Sequence, residues 1–264
     1  MALEFLQNLV SRNCSYSQIN TTCSAMSAII DYGNPTFGKL LIVKRFFKGT
    51  FELKPTFPRH CFIWDVSKVF SYFRSLPNPD KLSLKVLTQK LVMLMLLLSG
   101  GQRAQTIHCI CTEDLKIYND TLYIPVMSKI KQSKARQHME PLCFKKYQDV
   151  KLCTLTHLNI YLTKTKCLRS SGKLFISYIK PHKAVTKDTI SRWCKQVLKL
   201  RGIDVDNYTS HSCRSAASSK LKQVVISLRK VINSAGWSNE RTFARFYDRP
   251  VNPSNNEAMI NMDS

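Results

Sequence analysis

Leu91-Val-Met-Leu-Met-Leu-Leu-Leu98 is an unbroken run of eight apolar residues flanked by Lys90 and Ser99. A bilayer-spanning helix needs roughly 20 such residues, so the run is too short for a membrane and predicts a helix over Ser83–Leu98, buried at the centre of a core. Hydrophobic residues make up 44% of the 264, enough to surround such a helix, so disorder is not the default. The run ends in Leu98-Ser-Gly-Gly-Gln-Arg103. A glycine pair after the last apolar residue is a helix stop, and it would aim Arg103 into a cleft.

Punctuation divides the rest. Residues 1–54 carry helical periodicity (Ala25, Ile29, Ile30, then Leu40, Leu41, Val43, Phe46, Phe47) interrupted at Gly33-Asn-Pro35, and they hold the cations Lys44, Arg45 and Lys48. Lys54-Pro-Thr-Phe-Pro-Arg59 reads as a linker, because prolines disfavour helix on either side. We therefore expect a short helical domain over 1–56, with room for two or three helices, and a larger domain over 57–264. In the larger domain the pattern predicts a helix at Val66–Ser75, a turn at Leu76–Pro79, and short strands near Asp114–Ile117, Thr121–Val126 and His138–Leu142. Asn119-Asp120 is the hairpin turn between the first two strands. Thr186 to Leu200 is the strongest helical pattern after the apolar run. Ile190, Trp193, Cys194, Val197 and Leu198 fall on one face, and Lys187, Ser191, Lys195 and Lys199 recur every four residues on another. The fold class is mainly α, with a small antiparallel sheet.

Charge points to the partner. The chain has 40 Lys and Arg against 17 Asp and Glu, a net charge of +23, far beyond what solubility requires, which implies a polyanion such as nucleic acid. Cations collect in Ser128-Lys-Ile-Lys131-Gln-Ser-Lys134-Ala-Arg136 and along 187–199, so Lys129, Lys134, Arg136, Lys187, Ser191, Arg192 and Lys195 are candidate phosphate contacts. The plain alternative is an ordinary solvated charged surface. Ten cysteines are scattered, with no basic, apolar, cleavable start before them; that usage fits free thiols in a reducing compartment. Cys109-x-Cys111 beside His108 lacks two further ligands at zinc spacing, so no metal is expected.

The chemistry-bearing residues lie near the C-terminus. His211-Ser-Cys-Arg214, Ala235-Gly-Trp237 and Phe246-Tyr247 bring an imidazole, a guanidinium, an indole N–H and a phenol in succession. A phenol with a pKa near ~10 is a poor nucleophile at neutral pH and needs neighbours that bind the group under attack. Arginine grips two phosphate oxygens at once and stays charged at any working pH. Taken singly, His211 reads as a structural histidine, Trp237 as core, and Tyr247 as packing with Phe243 and Phe246. Taken in order, with Arg103 upstream, they favour attack on a phosphodiester.

That order resembles the tyrosine recombinases of phage and transposon integrases, over roughly Ile19 to Pro250. Arg103 matches the family's first arginine, His211-x-x-Arg214 its second box, Trp237 the slot that is His or Trp, and Tyr247 the nucleophile. Trp64-Asp-Val, Ser99-Gly and Ala235-Gly-Trp-Ser look most like the recombinases of DIRS-like retrotransposons and related eukaryotic mobile elements. The resemblance implies a DNA breaking-rejoining fold preceded by a shortened core-binding domain that clamps DNA. It also implies cleavage through a 3′-phosphotyrosyl link, with a lysine of the β-hairpin protonating the leaving oxygen; Lys131 is the first choice and Lys134 the reserve. Double-stranded DNA, a homo-oligomer on DNA and a nuclear location follow from it, with no cofactor, metal or membrane.

Three departures stand out. Thr106 occupies the position, three residues after the first arginine, where the family usually has an acid that orients it. Trp237 and Tyr247 are ten residues apart, slightly more than is common, and the tail beyond Tyr247 is short and carries Pro250 and Pro253. Alternative readings are a transposon-derived DNA-binding protein that no longer cleaves, and a type IB topoisomerase.

Overall fold

The computed structural model describes residues 1–30, 33–56, 62–130, 133, 140–224 and 250–251, and the chain divides into two units, Met1–Arg59 and His60–Ser264. In the first, helices α1 (Ala2–Ser11), α2 (Tyr16–Ile29) and α3 (Leu41–Leu53) pack around Leu6, Ile19, Cys23, Phe37 and Val43. Ser15 starts α2 with a reciprocal capping box: its hydroxyl accepts from Gln18 N while Gln18 Oε1 accepts from Ser15 N at 2.8 Å. Lys54 closes the unit by donating to the carbonyls of Val10 (3.1 Å) and Cys14 (3.2 Å) in the α1–α2 turn. Four residues of the expected apolar stripe, Ala25, Ile29, Ile30 and Leu41, are exposed; Ile29 and Ile30 stand where α2 ends, beyond Met26, which packs against the core.

In the second unit, α4 (Val66–Ser75) and α5 (Leu84–Leu98) occupy the expected segments. Ser83 caps α5, and every side chain from Leu87 to Leu97 is buried. The apolar run is thus the axis of this unit. Around it lie α6 (Ala104–Cys109), α7 (Thr154–Thr165), α8 (Lys187–Leu200) and α9 (Ser212–Gln223). Strands β1 (Lys116–Tyr118), β2 (Thr121–Ile124) and β3 (Leu142–Lys145) form an antiparallel sheet in the order β1-β2-β3.

The first hairpin turns where expected. Asn119 (φ 46°) and Asp120 (φ 55°) both adopt left-handed backbone, as a two-residue turn matched to strand twist requires, and Tyr118 pairs with Thr121. The third strand differs from expectation: it spans 142–145 rather than 138–142. Leu142 and Phe144 point inward while Cys143 and Lys145 are exposed, so the alternation that specifies a half-buried strand begins at Leu142, and Glu140 and Pro141 before it are exposed. The first strand also starts later than expected, because Thr112–Asp114 forms a 3-10 turn.

A lysine of α5 and a histidine of α7 are buried in the core. Lys90 of α5 is 1% exposed. Its Nζ donates to the Phe73 carbonyl (2.9 Å) and lies 5.5 Å from the centre of the Phe73 ring. Burial, then the neighbouring Lys151 charge, pushes Lys90 down to about 8. On α7, His157 is fully buried with Nδ1 2.8 Å from the Cys153 carbonyl. Burial is the main cause that pushes it down to about 4; the Cys153 carbonyl opposes the shift and the Lys90 charge adds to it. The unfolded histidine binds a proton near pH 6.5 and the folded one near 4, so the folded state loses stability as pH falls through that window. We expect a loss on the order of 2–3 kcal/mol from this residue alone below pH 4. Thermal melts of wild type and His157→Gln across pH 4–7 check it: the gap between the two curves should change with pH, and parallel curves would refute the assignment.

Candidate active site

Arg103 and Arg214 are brought to one place by a glycine turn. After α5 the chain passes through Gly100 (φ 80°) and Gly101 (φ 90°), backbone that a side chain tolerates poorly. Gly101 also lies flat against α9: a Cβ built there would sit 2.6 Å from the carbonyl oxygen of Arg214 and 3.0 Å from its Cα. Only glycine permits that approach. Arg214, 1% exposed in the first turn of α9, then donates from Nη1 to the Gly101 carbonyl at 2.9 Å. Two residues on, Arg103 forms the start of α6, its carbonyl accepting from Thr106 N at 2.9 Å. Arg103 Nη1 is buried and has no hydrogen-bond partner among the described residues. A buried guanidinium nitrogen in that state is costly until an anion oxygen meets it.

Helix α9 is held at its N-terminus by the segment before α4. The Trp64 indole donates to Ser212 Oγ (2.8 Å), and Ser212 in turn donates to the Thr209 carbonyl (2.7 Å). Asp65 caps α4 by accepting from Ser67 N and lies 3.9 Å from Lys220 of α9. His211 is the N-cap residue of α9 and is exposed, whereas Arg214 three residues on is buried. Ser212 through Ser219 are all buried, although the stretch reads as polar. Its side chains are Ser, Cys, Ala and one Arg, small enough for α9 to approach α5 closely, and Ser218 returns its hydroxyl to the Arg214 carbonyl. Sequence reasoning did not single out Trp64–Ser212 or this small-residue face; the Ser/Ala run is the signal that was there to be read.

Thr106 lies on α6, fully buried, with its Oγ1 unpartnered among the described residues. It therefore offers no charge to Arg103. Of the phosphate-contact candidates, Lys129 is exposed beyond β2, and Lys187, Arg192 and Lys195 are exposed on α8 while Ser191 is half-buried. The opposite face of α8, with Ile190, Trp193, Cys194, Val197 and Leu198, is buried against α5 and α6, as its periodicity required. Because α6 begins at Arg103, the basic face of α8 is tied to the same substructure. Lys131, Lys134, Arg136, Trp237 and Tyr247 lie outside the described residues. Pro250, three residues after Tyr247, accepts from Ile63 N at 2.9 Å, and Val251 bridges to Ile63.

The mainly helical domain with a three-stranded antiparallel sheet matches the fold of tyrosine recombinase catalytic domains. The phage integrase family matches residues 73–252, and the chain belongs to that family. Its fold is similar to that of the Tn1549 transposon integrase in complex with transposon right end DNA, with a TM-score of 0.59, 14% identity, and coverage of 99% of this chain and 84% of that one. It is also similar to the XerH site-specific recombinase bound to difH substrate (TM-score 0.55, 14% identity, 95% and 71% covered) and to a lambda integrase dimer bound to a COC′ core site (0.52, 14%, 93% and 63%). No curated protein matches the sequence.

Proposed function

We propose that the protein cleaves and rejoins DNA strands through a 3′-phosphotyrosyl intermediate, as the recombinase or integrase of a mobile element. The observation that carries this reading is the Gly100–Gly101 turn, whose carbonyl at Gly101 holds the Arg214 guanidinium and which leads two residues on to Arg103, whose buried Nη1 has no hydrogen-bond partner among the described residues. In the proposed reaction the Tyr247 oxygen attacks phosphorus, the bond from phosphorus to the 5′ oxygen breaks, and that oxygen takes a proton from Lys131, with Lys134 as the reserve. A 5′ hydroxyl of a partner strand later reverses the step. Bond energy is kept in the tyrosyl ester, so no nucleotide is consumed. Arg103, Arg214, His211 and Trp237 supply charge and hydrogen bonds to the oxygens of the transition state.

Double-stranded DNA is the proposed partner, with a homo-oligomer assembled on it. Support comes from the net charge, the exposed cations of α8, and neighbours of the same fold that are bound to DNA as dimers or tetramers. Residues 1–56 would complete the clamp. The resemblance of Trp64-Asp-Val and Ala235-Gly-Trp-Ser to eukaryotic mobile elements supports a nuclear location. The direct test is trapping on a nicked suicide duplex: a protein–DNA adduct stable to denaturant is expected, and duplex binding without an adduct would leave the reading of a DNA-binding protein that no longer cleaves.

Two further outcomes test the parts. Lys131→Ala should slow cleavage of ordinary DNA but not of a 5′-bridging phosphorothiolate, whose sulfur leaves without a proton. Failure of the sulfur substrate to rescue removes Lys131 as the acid. Binding should weaken steeply with salt, because each neutralised phosphate adds about 0.9 to the log–log slope. Isotherms from ~50 to ~200 mM salt should lose several decades of affinity; a flat response would overturn the nucleic-acid reading.

A further inference from the structure

The first unit carries an open groove lined by cations and aromatic rings. Along α3, Lys44, Phe47, Lys48 and Phe51 stand at i, i+3, i+4 and i+7 and so share one face. Across from them α2 contributes Tyr16 and Asn20, one turn apart. With Gly38 they line an open volume of about 470 Å³, within the range of ligand sites, roughly 300–1,000 Å³. The Tyr16 ring stands edge-on to both Phe47 (5.6 Å, 83°) and Phe51 (5.7 Å, 80°). Phe47 packs against the apolar centre of the unit, formed by Leu6, Ile19, Cys23, Phe37 and Val43, whereas Phe51 is 44% exposed. Lys44 and Lys48 are exposed at the rim, and among the described residues no acidic side chain lines the groove.

Alternating cations and aromatic rings on one face suit a ligand that alternates anions with flat apolar surfaces. A paired duplex shows its phosphates but hides its base faces. A single strand shows both, and its binders combine a positively charged groove with aromatic side chains on which bases stack. We propose that this groove of residues 1–54 binds single-stranded DNA, the lysines meeting phosphates and the Tyr16–Phe47–Phe51 rings taking an unpaired base. The inference rests on the DNA reading above and deepens it, giving the first unit a preference for unpaired strand such as that exposed around a cleaved or exchanged site.

The test uses the full chain and three labelled probes in fluorescence anisotropy: oligothymidine, a strand of equal length made of abasic sites, and a duplex. Base–aromatic stacking predicts that wild type binds the thymidine strand about tenfold more tightly than the abasic one. Phe51→Ala should erase that preference while leaving abasic and duplex affinity unchanged. Tyr16→Leu should act in the same direction, and Lys48→Gln should weaken all three probes. Equal binding of the thymidine and abasic strands by wild type, or a preference that survives both aromatic substitutions, would overturn the proposal while duplex binding keeps the recombinase reading intact. Absence of binding to any of the three probes would overturn both. If Phe51→Ala alters no DNA affinity but abolishes self-association in sedimentation, the groove is a contact between copies and the proposal fails.

Discussion

Tyr247→Phe is expected to abolish the covalent protein–DNA adduct completely while changing duplex affinity by less than about twofold, because binding is spread over many phosphate contacts. The substitution removes one oxygen, and that oxygen is the proposed nucleophile; a phenyl ring cannot form a phosphate ester. Binding draws on the exposed cations of α8, Lys129 and the rest of a chain with a net charge of +23, none of which the change touches. The measurement is denaturing electrophoresis of a labelled suicide duplex beside an equilibrium isotherm at fixed salt. An adduct that persists in the Phe variant would remove Tyr247 from the mechanism, and loss of binding together with the adduct would mean that the hydroxyl is structural.

Arg214→Lys is expected to slow cleavage by roughly 10²–10³-fold, the usual cost of losing one preorganised donor at a site of developing charge. Lysine keeps the charge but presents no planar fork, so it cannot hold Gly101 and an anion oxygen at fixed angles. Gly101→Ala is the sharper test of the geometry. Its methyl would be forced to within 2.6 Å of the Arg214 carbonyl oxygen at a φ of 90°, where α5, the glycine turn and α9 meet. A left-handed backbone alone costs a side-chain-bearing residue about 1–2 kcal/mol, and here the neighbouring atom is backbone that cannot swing aside. Gly101→Ala should therefore lower the thermal midpoint and cleavage together, whereas Arg214→Lys should lower cleavage far more than stability. Single-turnover cleavage and thermal melts on the same preparations separate the two. An active, normally stable Gly101→Ala protein would show that the glycine turn does not position Arg214.

Local pattern made much of the fold legible. Eight apolar residues in a row predict a buried axis, and α5 is one, because no surface position can accept such a run in water. The two-faced repeat of 187–199 predicts α8, since a 3.6-residue period is visible within a single element. Asn119-Asp120 predicts its own turn, because both residues tolerate left-handed backbone. The third strand was misplaced because the basic stretch 128–136 and the residues after it carry no alternation until Leu142. Ile29 and Ile30 mislead for a related reason: an apolar residue at the end of a helix continues the stripe in sequence but is left exposed where the helix stops.

What the sequence alone determined is chemistry and order: which side chains can bind phosphate, which can attack it, and the helical class of the elements that carry them. The meeting of Arg214 with the glycine turn that precedes Arg103 was decided by tertiary structure. Arg214 and Gly101 are 113 residues apart, and nothing local in either predicts that one packs on the other's backbone. The polar-looking stretch from Ser212 to Ser219 is buried because small side chains let two helix backbones approach, a property of the pair rather than of the segment. Lys90 and His157 are polar in sequence, and they are held in the core because α5 and α7 pack along faces that include them. Periodicity records which way a side chain points along its own helix; which neighbour it meets there depends on the closure of the whole core around α5, and that closure is what sets the two arginines beside one turn.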